Sequence, residues 1–462
     1  MRFFILTLII ASIFFTSPVA AASDPRLKPN NKVGIGMLSP EAEIEEAVSM
    51  VNTGGDWGWV VIIIKKSERN LDRWQKVFHL LIKNHLIPIV RIATDFDKQG
   101  YWIRPADEDS KDWADFLSKL YWPTKNRYVQ IYNEVNRANE WGGKVDPANY
   151  AKEFEKTRDA LKAINDDFFV LNAPLDLAAE NGDDSLNPFV FYQTMEAVAP
   201  GIFRKLDGWA SHSYPNPSFS ASPFKSGRNG IDGYRWELSQ IAPYLEGKNL
   251  PVFITETGWQ RKIADGDGVG VNENLIANYY KIAFGQVWND EKIVAIVPFV
   301  FNYPEPLYYS FSFKTNTKNS EKKYFNYYFS IKDLTKINGD PEREDKVSDF
   351  QTDLPEIIIK GRLKNVNLTM KNVGNYIWNT KDKLKLKIFS QNLELSQIKW
   401  NKDEIHPGEK AIVTFKLKSN KEGPIPINIK VFDDDFNLIE KELVVSSETY
   451  FSFIVKSMKR LF

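Results

Sequence analysis

Two glutamates that follow strand-like runs are the residues of this chain best suited to acid–base chemistry. Glu134 stands in "VQIYNEVN" and Glu256 in "PVFITETGW", each behind a run of apolar and β-branched residues. A barrel scaffold presents its catalytic groups in this way, at the carboxyl ends of its strands. Glycoside hydrolysis needs two carboxyl groups on either side of one sugar ring. The pattern therefore predicts a two-carboxylate glycosidase.

The two acids would need different protonation states. Tyr132 and Val135 are apolar or aromatic neighbours of Glu134 and favour a raised pKa, which suits the proton donor. Glu256 suits the nucleophile if nearby donors keep it ionised. Asn133 can donate a hydrogen bond to the sugar 2-hydroxyl, a contact that strengthens in the transition state. Taken alone, either acid is equally well explained as a solvated charge or a helix-cap partner.

Eight short apolar runs alternate with amphipathic stretches and must position these acids. The stretch after the second run has Leu71, Trp74 and Val77 at helical spacing. Asp146 and Pro147 predict the start of another helix. This alternation predicts a (β/α)8 barrel. A doubly wound open sheet is the alternative, disfavoured because no Gly-x-Gly-x-x-Gly follows the first run. The runs are 33–38, 59–64, 87–92, 128–131, 168–171, 206–210, 252–254 and 293–301.

Changes in residue pattern along the sequence divide the chain into further segments. We assign 30–335 to the barrel and the polar stretch 336–352 to a linker. Residues 353–447 contain short alternating segments between turn residues, which predicts an antiparallel, immunoglobulin-like β-sandwich. Residues 448–462 form a basic amphipathic tail, which either lies on an anionic membrane surface or packs onto the sandwich.

The first residues, 1–22, have the features of a secretory signal peptide. Arg2 precedes an apolar core at 3–15, and small residues at 20–22 offer a cleavage site. The apolar core is short for a membrane span, although a retained anchor is an alternative. We therefore expect a secreted or cell-surface protein.

The amino-acid composition limits the classes of ligand that this chain can bind. The 60 basic and 60 acidic residues balance, so no overall field favours nucleic acid. The chain has no cysteine, which excludes disulfides and thiolate metal sites. Its four histidines are too scattered to suggest a zinc cluster: His79, His85, His212 and His406. We expect no metal, no cofactor, a carbohydrate substrate and a monomer. Aromatic residues are 14% of the chain, which suits stacking on sugars as well as core packing.

The strings "IYNEVN" on the fourth run and "FITETGW" on the seventh resemble the paired signatures of glycoside hydrolase clan A. "EWGGKVDPANYAKEF" and "WASHSYP" are most similar to the group that holds β-xylosidases and α-L-iduronidases. "TETGW" is also similar to endo-acting galactanases and β-1,3-glucanases. The resemblance implies a retaining (β/α)8 enzyme over roughly residues 33 to 330. It also implies that Glu134 is the acid/base, Glu256 the nucleophile and Asn133 the 2-hydroxyl ligand.

Three further polar residues lie at strand ends near these acids. His212 and Tyr214 of "WASHSYP" alternate onto one side, and the clan resemblance places such residues beside the nucleophile. We expect Tyr214 to hydrogen-bond Glu256. His212 either binds a sugar hydroxyl or is a satisfied core histidine. Arg91, at the end of the third run, either contacts the nucleophile or forms a structural ion pair.

Aromatic residues near the motifs are candidate sugar platforms. Trp141 and Trp259 either stack on sugars or pack the rim. Clan members commonly carry a tryptophan at the end of the eighth strand, where this chain has "VPFVFNYPEP". The residues that can replace it are Phe299, Phe301 and Tyr303, and we take Phe301 as a substrate-binding candidate. Glu305 near the same rim is a subsite residue at best.

Two functions other than glycoside hydrolysis are also compatible with the sequence. "NVGNYIW" and "IHPGEKAIVTF" in the sandwich are similar to bacterial immunoglobulin-like modules of the cell-adhesion-related type, which we expect to act as a spacer. The first rival is a non-catalytic carbohydrate-binding protein on a degenerate barrel. The second is a cell-surface adhesion protein whose function resides in the sandwich and tail.

Overall fold

A computed structural model describes residues 22–262, 270–315, 323–432 and 437–459 of the chain. The segment predicted as a signal peptide lies outside these ranges except for its last residue. Within the described ranges, no helix is both long enough and apolar enough to cross a membrane.

Within the described ranges, the first part of the chain forms eight β-strands that alternate with eight α-helices. The strands are β1 (Gly34–Met37), β2 (Gly58–Lys65), β3 (Leu86–Ala93), β4 (Arg127–Ile131), β5 (Phe168–Leu171), β6 (Trp209–Ser211), β7 (Val252–Thr257) and β8 (Ile293–Pro298). The helices are α1 (Pro40–Val51), α2 (Leu71–Lys83), α3 (Asp109–Ser118), α4 (Pro147–Ile164), α5 (Pro188–Val198), α6 (Gly233–Ile241), α7 (Glu273–Ile282) and α8 (Asn326–Lys332). The predicted alternation is confirmed.

The strands lie in two parallel sheets of order β1-β2-β3-β4-β5 and β6-β7-β8. Isolated parallel bridges join Leu171 to Gly208 and Val33 to Ile296, at the two places where the sheets meet. The strands are almost entirely buried, which explains their continuous apolar character. Trp59, Tyr128 and Phe253 pack edge to face or tilted in the interior. This arrangement fits a (β/α)8 barrel.

The helices begin where the sequence places their caps. The side chain of Asp146 accepts a hydrogen bond from the backbone N–H of Asn149 at 3.0 Å, with Pro147 at the first helical position. Asn70 caps α2 in the same way through the N–H of Arg73 at 2.9 Å. Both helices bury an apolar stripe against the strands, as their spacing predicted.

The second part of the chain is rich in β-structure and consistent with a sandwich. In the described residues, two four-stranded sheets have the orders β10-β18-β17-β13 and β14-β16-β11-β9, and β12 pairs with β15. Val366, Phe415 and Ile427 lie in the apolar core of this region. The strands are β9 (Val347–Thr352), β10 (Ile357–Ile359), β11 (Lys364–Asn372), β12 (Trp378–Asn379), β13 (Lys385–Phe389), β14 (Leu393–Trp400), β15 (Glu404–Ile405), β16 (Lys410–Ser419), β17 (Gly423–Phe432) and β18 (Asn437–Glu448).

The linker boundary needs a correction. Strand β9 lies inside the predicted linker 336–352 and pairs antiparallel with β11, so the sheet begins before residue 353. Val347 and Phe350 of β9 pack partly against the sandwich core. These two residues are three positions apart and the pairing with β11 shifts register between them, so the sequence lacks the period-two alternation of a strand. The tail does contain a helix, α9 (Tyr450–Lys459), in which the side chain of Phe451 is 77% exposed.

The β-rich region contacts the barrel at the end of β4 remote from its catalytic candidates. Asn375 donates a hydrogen bond to the carbonyl of Trp122 at 2.9 Å, and Lys125 pairs with Glu342 at 2.9 Å. Trp122 and Lys125 precede β4, whereas Glu134 follows it. These contacts therefore leave the carboxyl end of β4 clear.

Candidate active site

Glu134 lies just beyond the end of β4 on a strained turn. Tyr132 and Glu134 adopt φ values of 67° and 35°, in the left-handed region. Each such residue costs about 1 kcal/mol or more and persists only where its surroundings fix it. Here the N–H of Glu134 donates to the carbonyl of Pro174, in the loop after β5, at 2.9 Å. About a quarter of the Glu134 side-chain surface, 25%, stays exposed.

Glu256 is the penultimate residue of β7, and its carboxylate has two polar neighbours, one in the loop after β6 and one on β3. The hydroxyl of Tyr214 donates to Glu256 Oε2 at 3.2 Å. Arg91 on β3 places Nη1 3.5 Å from Glu256 Oε1. The sequence predicted the Tyr214 contact, whereas for Arg91 it left this contact and a structural ion pair as alternatives. Only 12% of the Glu256 side-chain surface is exposed.

His212 lies between the two acids. Its Nδ1 atom is 2.8 Å from Glu134 Oε1 and 3.8 Å from Glu256 Oε2. The sum of these distances is the upper limit for the separation of the two oxygens, so both carboxyls lie in one site. The ring is fully enclosed, so in this conformation His212 contacts the acids rather than standing open to a sugar hydroxyl. Among the described residues, its Nε2 atom has no hydrogen-bond partner.

The electrostatic surroundings of Glu134 favour its protonated form. Burial is the largest influence and, with the charge of Asp176, raises the pKa of Glu134 to about 8. The guanidinium groups of Arg91 and Arg137 oppose this shift. A carboxyl of this kind holds a proton at neutral pH, as a general acid must.

Burial also raises the pKa of Glu256 and outweighs the interactions with His212 and Arg91, which lower it. The pKa of His212 falls to about 4, mainly because burial disfavours the imidazolium ion. His212 is therefore neutral around pH 7.

Glu140 is a third acid in this site, and the sequence reasoning missed it. Its Oε2 atom accepts from Asn133 Nδ2 at 3.4 Å and lies 3.5 Å from Arg91 Nη2. Burial raises the pKa of Glu140 to about 7. The residue ends a short 3-10 turn, Ala138–Glu140, in the loop after β4. It follows no strand, so the signal that identified Glu134 and Glu256 could not identify it.

Trp141 and Trp259 lie in the packing around the site. Trp141 is 1% exposed and donates its indole N–H to Asn149 Oδ1 at 3.1 Å. Trp259 is 2% exposed, donates to the carbonyl of Ala221 at 2.8 Å, and contacts Tyr280 edge to face. These positions match the rim-packing alternative.

The aromatic residues after β8 differ in their access to the site. Phe301 is fully buried against the outer helices, whereas Phe299 and Tyr303 are partly exposed and pack on Tyr308. Burial raises the pKa of Tyr308, and the charges of Glu134, Glu140 and Glu256 raise it further. Neither Tyr308 nor Glu140 belongs to a motif. For metals, the described residues contain no group of three or more His, Cys, Asp or Glu that could hold an ion.

No protein-family model and no curated protein matches this chain. Among solved structures, it is similar to a family 39 glycoside hydrolase from the gut symbiont Bacteroides cellulosilyticus WH2, at 12% identity and a TM-score of 0.45. That match covers 84% of this chain and 81% of the other.

Two other solved structures are also similar to this chain. A β-mannanase from Streptomyces thermolilacinus matches at 15% identity and a TM-score of 0.37, over 62% of this chain and 83% of that one. BuGH86 in complex with neoagarooctaose matches at 12% identity and a TM-score of 0.39, over 78% and 69%. These neighbours are glycoside hydrolases. Their TM-scores are all below 0.5.

Proposed function

We propose that this protein is a secreted, retaining glycoside hydrolase that cleaves extracellular poly- or oligosaccharide on a closed (β/α)8 barrel. Glu134 is its acid/base and Glu256 its nucleophile. The observation that carries the proposal is the position of one histidine atom, His212 Nδ1, close to oxygens of both carboxyl groups. Two acids from β4 and β7, held this close in one partly open site, suit reaction at a single anomeric carbon.

The first step forms a covalent intermediate. A Glu256 oxygen attacks the anomeric carbon while the bond from that carbon to the leaving oxygen breaks. Glu134 gives its proton to the leaving oxygen, so the departing sugar leaves as a neutral alcohol. The pKa of Glu134, raised to about 8 by burial, keeps this proton available at neutral pH.

The second step releases the sugar. Glu134, now ionised, removes a proton from a water molecule, whose oxygen attacks the anomeric carbon and displaces Glu256. Two inversions at one carbon give net retention. Arg91 and Tyr214 stabilise the negative charge of Glu256 whenever it is free.

The spacing of the acids favours retention over inversion. Retaining enzymes hold their carboxyls about 5–5.5 Å apart, whereas inverting enzymes need about 6.5–9.5 Å to admit a water molecule between acid and sugar. The upper limit set through His212 Nδ1 reaches only the bottom of the inverting range.

Variants of the two acids test the proposal. The full chain would be screened against β-linked oligosaccharides, and Glu256→Gln and Glu134→Gln compared with wild type on the cleaved substrate. We expect turnover to fall by at least about 10³-fold in Glu256→Gln, with an unchanged melting temperature. Glu45→Gln on the exposed face of α1 is the matched control.

Three outcomes would contradict the proposal. The nucleophile assignment fails if Glu256→Gln keeps most of its activity. Binding without turnover in wild type would instead favour the carbohydrate-binding protein. If the barrel neither binds nor cleaves any sugar, the adhesion alternative takes its place.

We also propose that the tail binds anionic membrane surfaces after export. The exposed Tyr450 and Phe451 of α9 offer apolar anchors, and Lys456, Lys459 and Arg460 supply positive charge in the sequence. The full chain should therefore sediment with vesicles that contain anionic lipid more than with neutral ones. Phe451→Ser should reduce this binding, and equal sedimentation with both vesicles would contradict it.

A further inference from the structure

One buried asparagine joins the loop after β4 to the loop after β5. The side chain of Asn136 is fully enclosed and makes three hydrogen bonds. Its Oδ1 atom accepts from the N–H of Asp176 at 3.0 Å, and its Nδ2 atom donates to the carbonyls of Asp176 at 2.9 Å and Leu186 at 3.0 Å. The N–H of Leu186 also donates to the backbone carbonyl of Asn136 at 3.0 Å. Asn136 therefore holds both backbone groups of two residues in the loop after β5.

These contacts use the full hydrogen-bonding capacity of an amide side chain. An amide has two N–H donors and one acceptor oxygen, and each of them has a partner in this loop. Alanine at position 136 would leave the three backbone groups that these atoms satisfy without this partner. Since buried backbone groups are almost always paired, the loop would have to move.

The turn that carries Glu134 depends on the same loop. Tyr132 and Glu134 both have positive φ values, a conformation that persists only where surrounding contacts fix it. The N–H of Glu134 donates to the carbonyl of Pro174 at 2.9 Å. Two residues further along each segment, Asn136 holds Asp176. Alternate residues of the turn are therefore anchored to alternate residues of the loop after β5.

The same connection extends to the histidine that contacts both acids. An isolated parallel bridge pairs Asp176 with His212, just beyond β6. The Nδ1 atom of His212 in turn lies 2.8 Å from Oε1 of Glu134, two residues before Asn136. Glu134 is therefore held through its backbone on one side and through its carboxyl on the other, and both connections pass through the loop that Asn136 holds.

We propose that Asn136 is a positioning residue for the acid/base, which fixes the carboxyl of Glu134 against His212 by holding the loop after β5. This inference rests on the proposed function and extends it to a residue that no sugar can touch, because Asn136 is fully buried. Loss of its side chain should therefore spare substrate binding and impair proton donation to the leaving oxygen.

Crystal structures of the full chain, as wild type and as Asn136→Ala, test the positioning without requiring turnover. We expect the separation of His212 Nδ1 and Glu134 Oε1 to increase from 2.8 Å to more than about 3.5 Å, beyond hydrogen-bonding distance, while the eight strands superimpose. Asn136→Ser, whose side chain keeps a small polar group, is the second variant and serves where Asn136→Ala does not fold.

Asn372→Ala is the matched control. Asn372 is fully buried in the β-rich region, where its Nδ2 atom also donates to two carbonyls and its Oδ1 atom accepts from one N–H. Its loss removes the same set of hydrogen bonds at a distance from the two acids. The contact between His212 and Glu134 should therefore stay unchanged in this variant.

The dependence on the leaving group then shows whether proton donation is impaired. A sugar alkoxide must be protonated as it leaves, whereas a dinitrophenolate leaves without a proton. On the oligosaccharide that wild type cleaves, Asn136→Ala should lower kcat/KM about 10- to 100-fold. On the dinitrophenyl glycoside of the same sugar, the loss should stay within about threefold. Asn372→Ala should change neither value by more than about twofold, at a temperature where all the variants are folded.

Three results would overturn the inference. They are an unchanged contact between His212 and Glu134 in the variants, the same loss or no loss on both substrates, and failure of both variants to fold, which would make Asn136 a residue of the fold alone. Failure of the proposed function would look different. Wild type would then cleave neither substrate, and the crystal structures would still decide whether Asn136 positions Glu134.

Discussion

The Nδ1 atom of His212 lies 2.8 Å from Oε1 of Glu134, so the loop after β6 supports the acid that follows β4. The imidazole ring is fully enclosed and neutral, and it therefore contributes a hydrogen bond rather than a charge. This contact fixes the carboxyl of Glu134 relative to Glu256. Its loss should affect the chemical step more than the binding of substrate.

We therefore predict that His212→Asn and His212→Ala lower kcat by about 10- to 100-fold with little change in KM, because misplacement of a proton donor forfeits part of general acid catalysis. Steady-state kinetics on the substrate found in the screen measures this. His79→Ala is the matched control, since His79 is a partly buried histidine that hydrogen-bonds Pro407 instead. A kcat within twofold of wild type would show that His212 is only a packing residue.

The pH dependence of kcat/KM should be bell-shaped. Activity requires Glu256 without its proton and Glu134 with it. The rate should therefore rise with pH as Glu256 ionises and fall above about pH 8, where Glu134 loses its proton. A profile that keeps rising past pH 9 would contradict the assignment of Glu134.

Arg91→Met should move both limbs of this profile to higher pH. The guanidinium lowers the pKa of Glu134 and of Glu256, so its removal raises both. Arg91→Lys keeps a positive charge and should shift the limbs less. Limbs that stay in place, or move to lower pH, would show that Arg91 does not act on the acids electrostatically.

Trp259→Ala distinguishes a core residue from a sugar platform. Trp259 packs against Tyr279, Tyr280 and Trp288, and truncation of a large buried aromatic typically costs about 3–5 kcal/mol of unfolding free energy. We expect a loss of this size in urea denaturation, with unchanged KM at a temperature where the variant is folded. A raised KM with normal stability would instead identify Trp259 as a sugar platform.

Glu237 should make the fold less stable as the pH rises. It is buried on α6, accepts a hydrogen bond from the Tyr192 hydroxyl at 2.6 Å, and burial raises its pKa from 4.5 to about 7. Between those values the folded protein keeps a proton that the unfolded chain loses, so the free energy of unfolding decreases from about pH 4.5 to pH 7. Glutamine does not titrate, so Glu237→Gln should abolish this decrease in the free energy of unfolding.

A shift of one pKa unit corresponds to about 1.4 kcal/mol. The free energy of unfolding of Glu237→Gln should therefore exceed that of wild type by up to about 3 kcal/mol at pH 8. At pH 4 the two proteins should differ little. Urea denaturation at the two pH values measures this. The exposed Glu45→Gln is the control. A variant less stable than wild type at pH 8 would mean that the fold favours the ionised carboxylate, so that the pKa of Glu237 is not raised.

Much of the barrel could be predicted from the sequence because its signals are local. Parallel strands buried on both faces give short apolar runs, and all eight predicted runs contain or overlap a strand. The position of Glu256 at the end of β7, and of Glu134 just beyond β4, followed from those runs. The contact of Tyr214 with Glu256 followed from its place beside a strand end and from the clan resemblance, whereas the contact of Arg91 was one of two alternatives.

What escaped prediction depends on contacts distant in sequence. Glu140 reaches the site because the loop after β3 holds the loop after β4 through Trp102 and Asn139. No sequence pattern in either loop predicts this contact between them. The burial of Trp141 and Trp259 likewise depends on the helices that cover them. Strand β9 was missed because its register shift places Val347 and Phe350 three residues apart, which breaks the period of two that marks a strand.

The configuration of the first product tests the central claim most directly. Cleavage of the selected oligosaccharide by the full chain would be followed by proton NMR from the first minutes, before the free sugar anomers equilibrate. The account predicts that the newly formed reducing end appears first in the same anomeric configuration as the bond that was cleaved. First appearance of the opposite anomer would mean that Glu256 activates water rather than attacking the sugar, and would contradict the account.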